Sequence, residues 1–163
     1  MTNPKTAWLA AVIALAGCSS QAPVAAPSPT TGPTVSVSPG TVVAGRTTLT
    51  VTGTGFDQTK GIYVAYCLQA EPGEPPTPCG GGADTSGESG LSSWISSNPP
   101  PYGEELAVPY GPGGSFTLDI AVAPRIGDID CRAQVCGIAT RADHTRSTDR
   151  SQDVFIPIEF EEN

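Results

Sequence analysis

Asp143, His144 and Ser147 bring the three residue types of a nucleophilic relay into five consecutive positions, and His144 is the only histidine of the 163-residue chain. A relay needs base, orienter and nucleophile in line, and such triads are assembled from separate elements. Neighbours in one loop do not meet that demand, and neither a second histidine nor a nucleophile elbow offers another route. The residues argue against an enzyme. The same stretch, residues 141–153, sets Arg141, Arg146 and Arg150 beside Asp143, Asp149 and Asp153. Forked guanidinium–carboxylate contacts would order it as an internal web. In the competing reading one or more of the arginines, Arg141 and Arg146 being the candidates, turn outward to grip an anionic ligand, with His144 tuning the grip near neutral pH. Asp128 and Asp130 in "IGDID" read as turn-formers ahead of Cys131 rather than as metal ligands.

The cysteines narrow the chemistry further. Residues 1–17 carry Lys5 and an eleven-residue apolar run, "AWLAAVIALAG", too short for a permanent membrane span. The run ends in "LAGC" (15–18), which resembles the bacterial lipobox and marks Cys18 for lipidation and cleavage before it. Several acyl chains hold a protein on a membrane where one would be marginal. Residues 18–33 are the lipidated cysteine and a Pro/Ala/Ser/Thr tether. Cys67, Cys79, Cys131 and Cys136 then form an even set in an exported chain, the pattern of two disulfides. Sequence permits three pairings, and Cys67–Cys79 with Cys131–Cys136 is favoured because each closes a short loop. With these thiols oxidised, His144 and scattered carboxylates make a poor zinc site, and no cofactor is called for.

Charge speaks to partners. After residue 17 the chain has seven basic and sixteen acidic side chains, a net charge of −9. A phosphate backbone would repel such a domain, so direct nucleic-acid binding is not expected.

The elements that must position these residues are strands. "TVSVS" (34–38), "TTLTVTG" (47–53), "SFTLDIAVA" (115–123) and "DVFIPIEF" (153–160) alternate apolar and polar residues. "GIYVAYCLQ" (61–69) is apolar on both faces, and "SSWIS" (92–96) and "VCGIAT" (135–140) are shorter candidates. Seven short strands in one domain, residues 34–163, read as an all-β sandwich of immunoglobulin type. Pro157 inside the last run points to an edge strand. One region breaks the rhythm: residues 71–113 hold nine prolines and nine glycines together with Trp94, Tyr102 and Tyr110. A Gly/Pro-rich insertion of this length is usually functional or disordered, and its aromatics favour function. Trp94 reads either as core filling or, with Tyr102 and Tyr110, as an apolar recognition surface.

"PTVSVSPG" (33–40), the strand ending in Cys67 with Cys79 twelve residues on, and "DCRAQVCGIATRAD" (130–143) together resemble the neocarzinostatin family. The resemblance covers about residues 33–160. These small exported actinomycete apoproteins have a seven-stranded immunoglobulin-like Greek-key sandwich and two short-range disulfides, which implies the same pairing here. Family members carry an enediyne chromophore in a cleft, and the resemblance places Cys67 and Cys79 on its floor. The family's aromatic two positions past the first of these cysteines is Gln69 here, and the polar residue after the last cysteine is Gly137. The family's phenylalanines have no counterpart in "AVAPRIGDID" (121–130).

The scaffold thus carries over while most chromophore contacts do not. The expectation is a membrane-anchored extracytoplasmic module that binds and does no chemistry. Its partner would be an envelope protein or cell-wall component, reached through the insertion and the 141–152 loop. The alternative is a carrier of a small apolar molecule in a cleft over Cys67–Cys79, lined by Tyr66, Gln69 and Trp94.

Overall fold

The computed structural model describes residues 32–81 and 90–161; the expected signal segment, Cys18 and all of the expected tether but Gly32 and Pro33 lie outside the described residues. Eleven strands occur among the described residues: β1 (Thr34–Ser38), β2 (Val42–Val43), β3 (Thr47–Thr54), β4 (Ile62–Leu68), β5 (Ser92–Ile95), β6 (Ala107–Val108), β7 (Phe116–Val122), β8 (Arg125–Ile126), β9 (Ile129–Asp130), β10 (Cys136–Ala142) and β11 (Val154–Phe160). One sheet runs β1-β3-β7 and the other β2-β11-β10-β4-β5-β6, while β8 and β9 form a separate hairpin. The seven longer strands coincide with the seven runs expected from the sequence. The four two-residue strands are too short to show any period.

The sheets are antiparallel except where β2 joins β11 and β6 joins β5. Period two decides what each strand buries. Leu49 and Val51 of β3, Ile120 and Val122 of β7, and Ile62 and Val64 of β4 meet Ile138 of β10 and Ile158 of β11 in one core between the sheets. Burying each of these side chains contributes roughly 1.5–3 kcal/mol. The other side of the three-stranded sheet is solvated and rich in hydroxyls. Its residues bond across the strands: Thr34 to Thr54 at 2.9 Å, Thr50 to Asp119 at 2.8 Å and Thr52 to Thr117 at 3.4 Å.

Both favoured disulfides form, Cys67–Cys79 and Cys131–Cys136. The second lies in the core, the first on the outer side of the six-stranded sheet. Pro157 faces Gly137 on β10. On its other flank β2 reaches only Glu159 and Phe160, so the missing N–H of proline breaks no ladder.

Tyr66 requires a correction. It was expected in the cleft beside Cys67, but adjacent strand residues face opposite ways. Tyr66 points into the core, 1% exposed, edge-on to Phe160. Its hydroxyl has no hydrogen-bond partner among the described residues, and burial pushes the phenol well above its ordinary value. Tyr110 is also buried, its hydroxyl donating to the Lys60 carbonyl at 3.1 Å. Burial raises its phenol too, with Asp143 and Asp57 adding to the shift.

Two tyrosines with raised folded-state values bind protons that the unfolded chain releases above about pH 10. The folded state therefore keeps its full stability below pH 10 and loses it as pH rises beyond, by up to about 1.4 kcal/mol per pH unit for each tyrosine. Urea midpoints at pH 8 and pH 11 should show this fall, and phenylalanine at position 66 should reduce it. An unchanged midpoint in the wild type would contradict the assignment.

Candidate functional site

The outer face of the six-stranded sheet is read directly from its register. Trp94 pairs with Tyr63 and Tyr63 with Arg141; Ser92 pairs with Ala65, Ala65 with Ala139 and Ala139 with Phe155. Cys67 pairs with Gly137. The result is a floor of small residues, Ala65, Ala139 and Gly137, between an aromatic rim at Tyr63 and Trp94 and a wall at Phe155. The closeness of the floor to Phe155 is set by Gly137, where an added Cβ would fall 2.7 Å from the Phe155 ring and 2.3 Å from the Ile156 carbonyl oxygen. Cys67–Cys79 ties the segment after β4 back over this floor, and Leu68 N–H donates to the Pro78 carbonyl at 3.0 Å. Beneath that segment lies a shallow cavity of about 190 Å³, lined among others by Gln69, Glu74, Pro76, Asp153 and Phe155.

Arg141 links roof to rim. Its guanidinium lies over the Tyr63 ring, 5.9 Å from the centroid, and donates to the Pro76 carbonyl at 3.3 Å. The rim itself is built around Asp143, which is 2% exposed. One carboxylate oxygen accepts the Trp94 indole N–H at 3.0 Å; the other accepts the Thr145 N–H at 2.9 Å and its hydroxyl at 2.6 Å. Asp143 thereby caps the 3₁₀ turn His144–Arg146. Its own N–H donates to the Gly61 carbonyl at 3.0 Å. Gly61 must be glycine, since a Cβ there would lie 1.9 Å from the Asp143 carboxylate.

His144 follows. Tyr63 bonds its Nδ1 at 2.5 Å and Tyr102 bonds its Nε2 at 2.6 Å. A neutral imidazole has one N–H and one lone pair, so one hydroxyl donates and the other accepts. The ring stands edge-on to Trp94 at 5.3 Å. Trp94 is 9% exposed, lying on the outer face yet covered by the loop at Pro99–Gly103, where a Gly103 Cβ would fall 2.2 Å from the indole. Burial, then the nearby Asp143, push the Tyr63 phenol above its ordinary value.

The structure thus joins Trp94, Tyr102, His144 and Arg141 around one rim and places Gln69 at the cavity. Tyr63, which completes the rim, was missed; its signal was the spacing of two and four residues from Ala65 and Cys67 on one strand face. Arg146 is exposed, and its side chain makes no hydrogen bond or ion pair among the described residues. The expected web of three arginines and three aspartates is also corrected. Only Arg150 and Asp153 pair within it, at 3.0 Å. Asp149 turns to Lys60 at 2.8 Å, and hydrogen bonds from Lys60 and then Ser151 hold its carboxyl well below the usual range. Asp143 serves the indole instead. Neither ring nitrogen of His144 meets Asp143 or Ser147, so the three do not form a relay. Asp130 accepts the Arg132 N–H at 3.0 Å, the bond of a turn-former.

This geometry defines a β-sandwich with one covered outer face, and comparison with solved structures agrees. Macromomycin shares the fold with a TM-score of 0.51 and 19% sequence identity, over 80% of this chain and 100% of its own. The domain is neocarzinostatin-like in fold. No family model matches the chain, and no curated protein does.

Replacing Asp143 with alanine would strand the buried indole N–H and uncap the turn. The expected loss is about 3 kcal/mol in chemical denaturation, with a red shift of Trp94 emission in the folded state. Arg146→Ala, by contrast, should leave stability within about 0.5 kcal/mol.

Proposed function

We propose that this domain is a non-catalytic binding protein for a small apolar molecule, seated against the outer face of the six-stranded sheet over Cys67–Cys79. The observation that carries the reading is the cavity there, walled by Val154 and Phe155 and roofed by the segment at Pro76, whose carbonyl Arg141 holds. Ligand sites are typically concave and mostly apolar, with a few placed polar groups. The resemblance in cysteines and strand order, together with the likeness in fold, supports the same reading. At about 190 Å³ the cavity is smaller than the roughly 300–1,000 Å³ usual for drug-sized ligands. The bound part is thus a single ring system, or one end of a longer molecule lying across the face. Native mass spectrometry of the exported, oxidised domain mixed with extract of its own cells tests this. A stoichiometric small-mass adduct is expected, lost on denaturation and lost in Gln69→Trp, which fills the exposed mouth of the cavity. A bare protein mass throughout would count against the carrier reading.

That second outcome would favour a surface module for an envelope protein or cell-wall component. Tyr102 is 68% exposed and Arg146 lies exposed in the same loop cluster, which is where such a partner would touch.

We further propose that the domain works on the outer face of the cytoplasmic membrane, held by lipid on Cys18. The "LAGC" motif supports this reading. Growth with an alkyne-labelled fatty acid should tag the protein, and Cys18→Ser should lose the tag and leave the membrane fraction. A tagged Cys18→Ser variant would refute the anchor.

A further inference from the structure

Resting on the cavity reading above, we propose that Arg141 is the gate of that cavity. Its guanidinium latches the tip of the roof, and a molecule longer than one ring enters only when the guanidinium swings away from the Pro76 carbonyl. Three observations lead there. The first is a mismatch of size. The cavity holds about 190 Å³, against the roughly 300–1,000 Å³ usual for drug-sized ligands. It takes one ring, or one end of a longer molecule, and to seat more of that molecule a wall has to yield. The strands cannot, since β10 is paired with β11 on one flank and with β4 on the other. That leaves the roof.

The second is how the roof is fastened. Its base is fixed by Cys67–Cys79, by the Leu68 N–H on the Pro78 carbonyl at 3.0 Å and by the Gly80 N–H on the Tyr66 carbonyl at 2.8 Å. At the tip, Glu71 to Glu74 are exposed, and the Glu74 N–H turns back on the Glu71 carbonyl at 3.0 Å. Among the described residues, the bond from Arg141 to Pro76 is the one hydrogen bond that ties residues 71–76 to the sheet. Segments with so few attachments open at low cost while the rest of the fold stays closed. Pro76 is the buried residue of the tip and lines the cavity, so lifting it opens the site.

The third is the quality of the latch. At 3.3 Å the bond is longer than the usual range of about 2.7–3.2 Å, and its acceptor is neutral. The Tyr63 ring lies 5.9 Å from the guanidinium, close to the limit of about 6 Å for such a contact. Arg141 makes no ion pair among the described residues, so it can leave without stranding a carboxylate partner. Its strand β10 lies between β11, with the Phe155 wall, and β4, with Tyr63. Withdrawing the guanidinium therefore joins cavity and rim in one groove.

The test uses two neutral probes and Arg141→Met, which keeps the stem and removes the latch. Nile red, with four fused rings, is too long for the closed cavity, whereas benzyl alcohol is a single ring. For Nile red mixed with the oxidised wild-type domain, the observed binding rate should level off as probe concentration rises, because opening limits entry. In Arg141→Met that plateau should rise about tenfold or more, and apparent affinity with it, since the open form is no longer a minor population. Benzyl alcohol, followed by amide shifts at Gln69, Val154 and Phe155, should bind both proteins equally within about twofold. A merely structural contact would change both probes alike. Arg141→Lys, which keeps the charge and loses the fork, should fall between and carries the same comparison if Arg141→Met does not fold. Equal Nile red plateaus in the wild type and a folded variant, or equal changes for both probes, would overturn the gate and leave the cavity standing. If neither probe binds, the cavity reading itself fails. Amide relaxation dispersion at Gly73 and Glu74 then judges the latch alone: growth in Arg141→Met supports it, and no change refutes it.

Discussion

A buried carboxylate with no ion pair among the described residues organises the outer face of the six-stranded sheet. Asp143 is held by an indole N–H, a backbone N–H and a hydroxyl. The donors come from two places: Trp94 on the short strand β5, and Thr145, through both its N–H and its hydroxyl, in the turn after β10. The carboxylate therefore fixes where Trp94 sits and where the last loop leaves the sheet. Everything on the rim inherits its position from that pair. His144 stands against the indole because the turn begins at Asp143, and Tyr102 reaches His144 because its loop lies on the indole through Gly103.

The other half of the face depends on a covalent constraint. Cys67–Cys79 returns the chain to the strand it has just left, so the roof is anchored close to the floor it covers. Arg141 joins the two halves, with its stem on the sheet, its plane over Tyr63 and one N–H on the roof carbonyl. Rim and cavity are thus neighbours on one surface, divided by a guanidinium.

Much of this was legible in the sequence, for reasons that can be named. Alternation marked β1, β3, β7 and β11 because each buries one side against a core, while β4 stood out as a run apolar on both faces and β5 and β10 as shorter candidates. The cysteine spacings pointed to the right disulfides because both close short loops. What failed was parity and distance. Tyr66 was assigned to the cleft through its nearness to Cys67, although one residue in a strand is the difference between two faces. Trp94 and Asp143 are 49 residues apart, and nothing local in "SSWIS" or "TRADHT" announces that the indole claims the aspartate. Charge pairing in the 141–153 loop was misjudged for a similar reason. Asp149 had a better partner in Lys60, 89 residues upstream, than in the arginines beside it.

The two outward sides of the sandwich differ in a way that matters for crowded surroundings. On β1, β3 and β7 the hydroxyls spend their bonds on one another, Thr34 with Thr54, Thr52 with Thr117 and Thr50 with Asp119. A surface that is polar and already bonded within itself offers a passing molecule little to gain by staying. A ligand of the kind proposed would then find its contacts on the opposite side, and this side would stand towards its neighbours as a closed back.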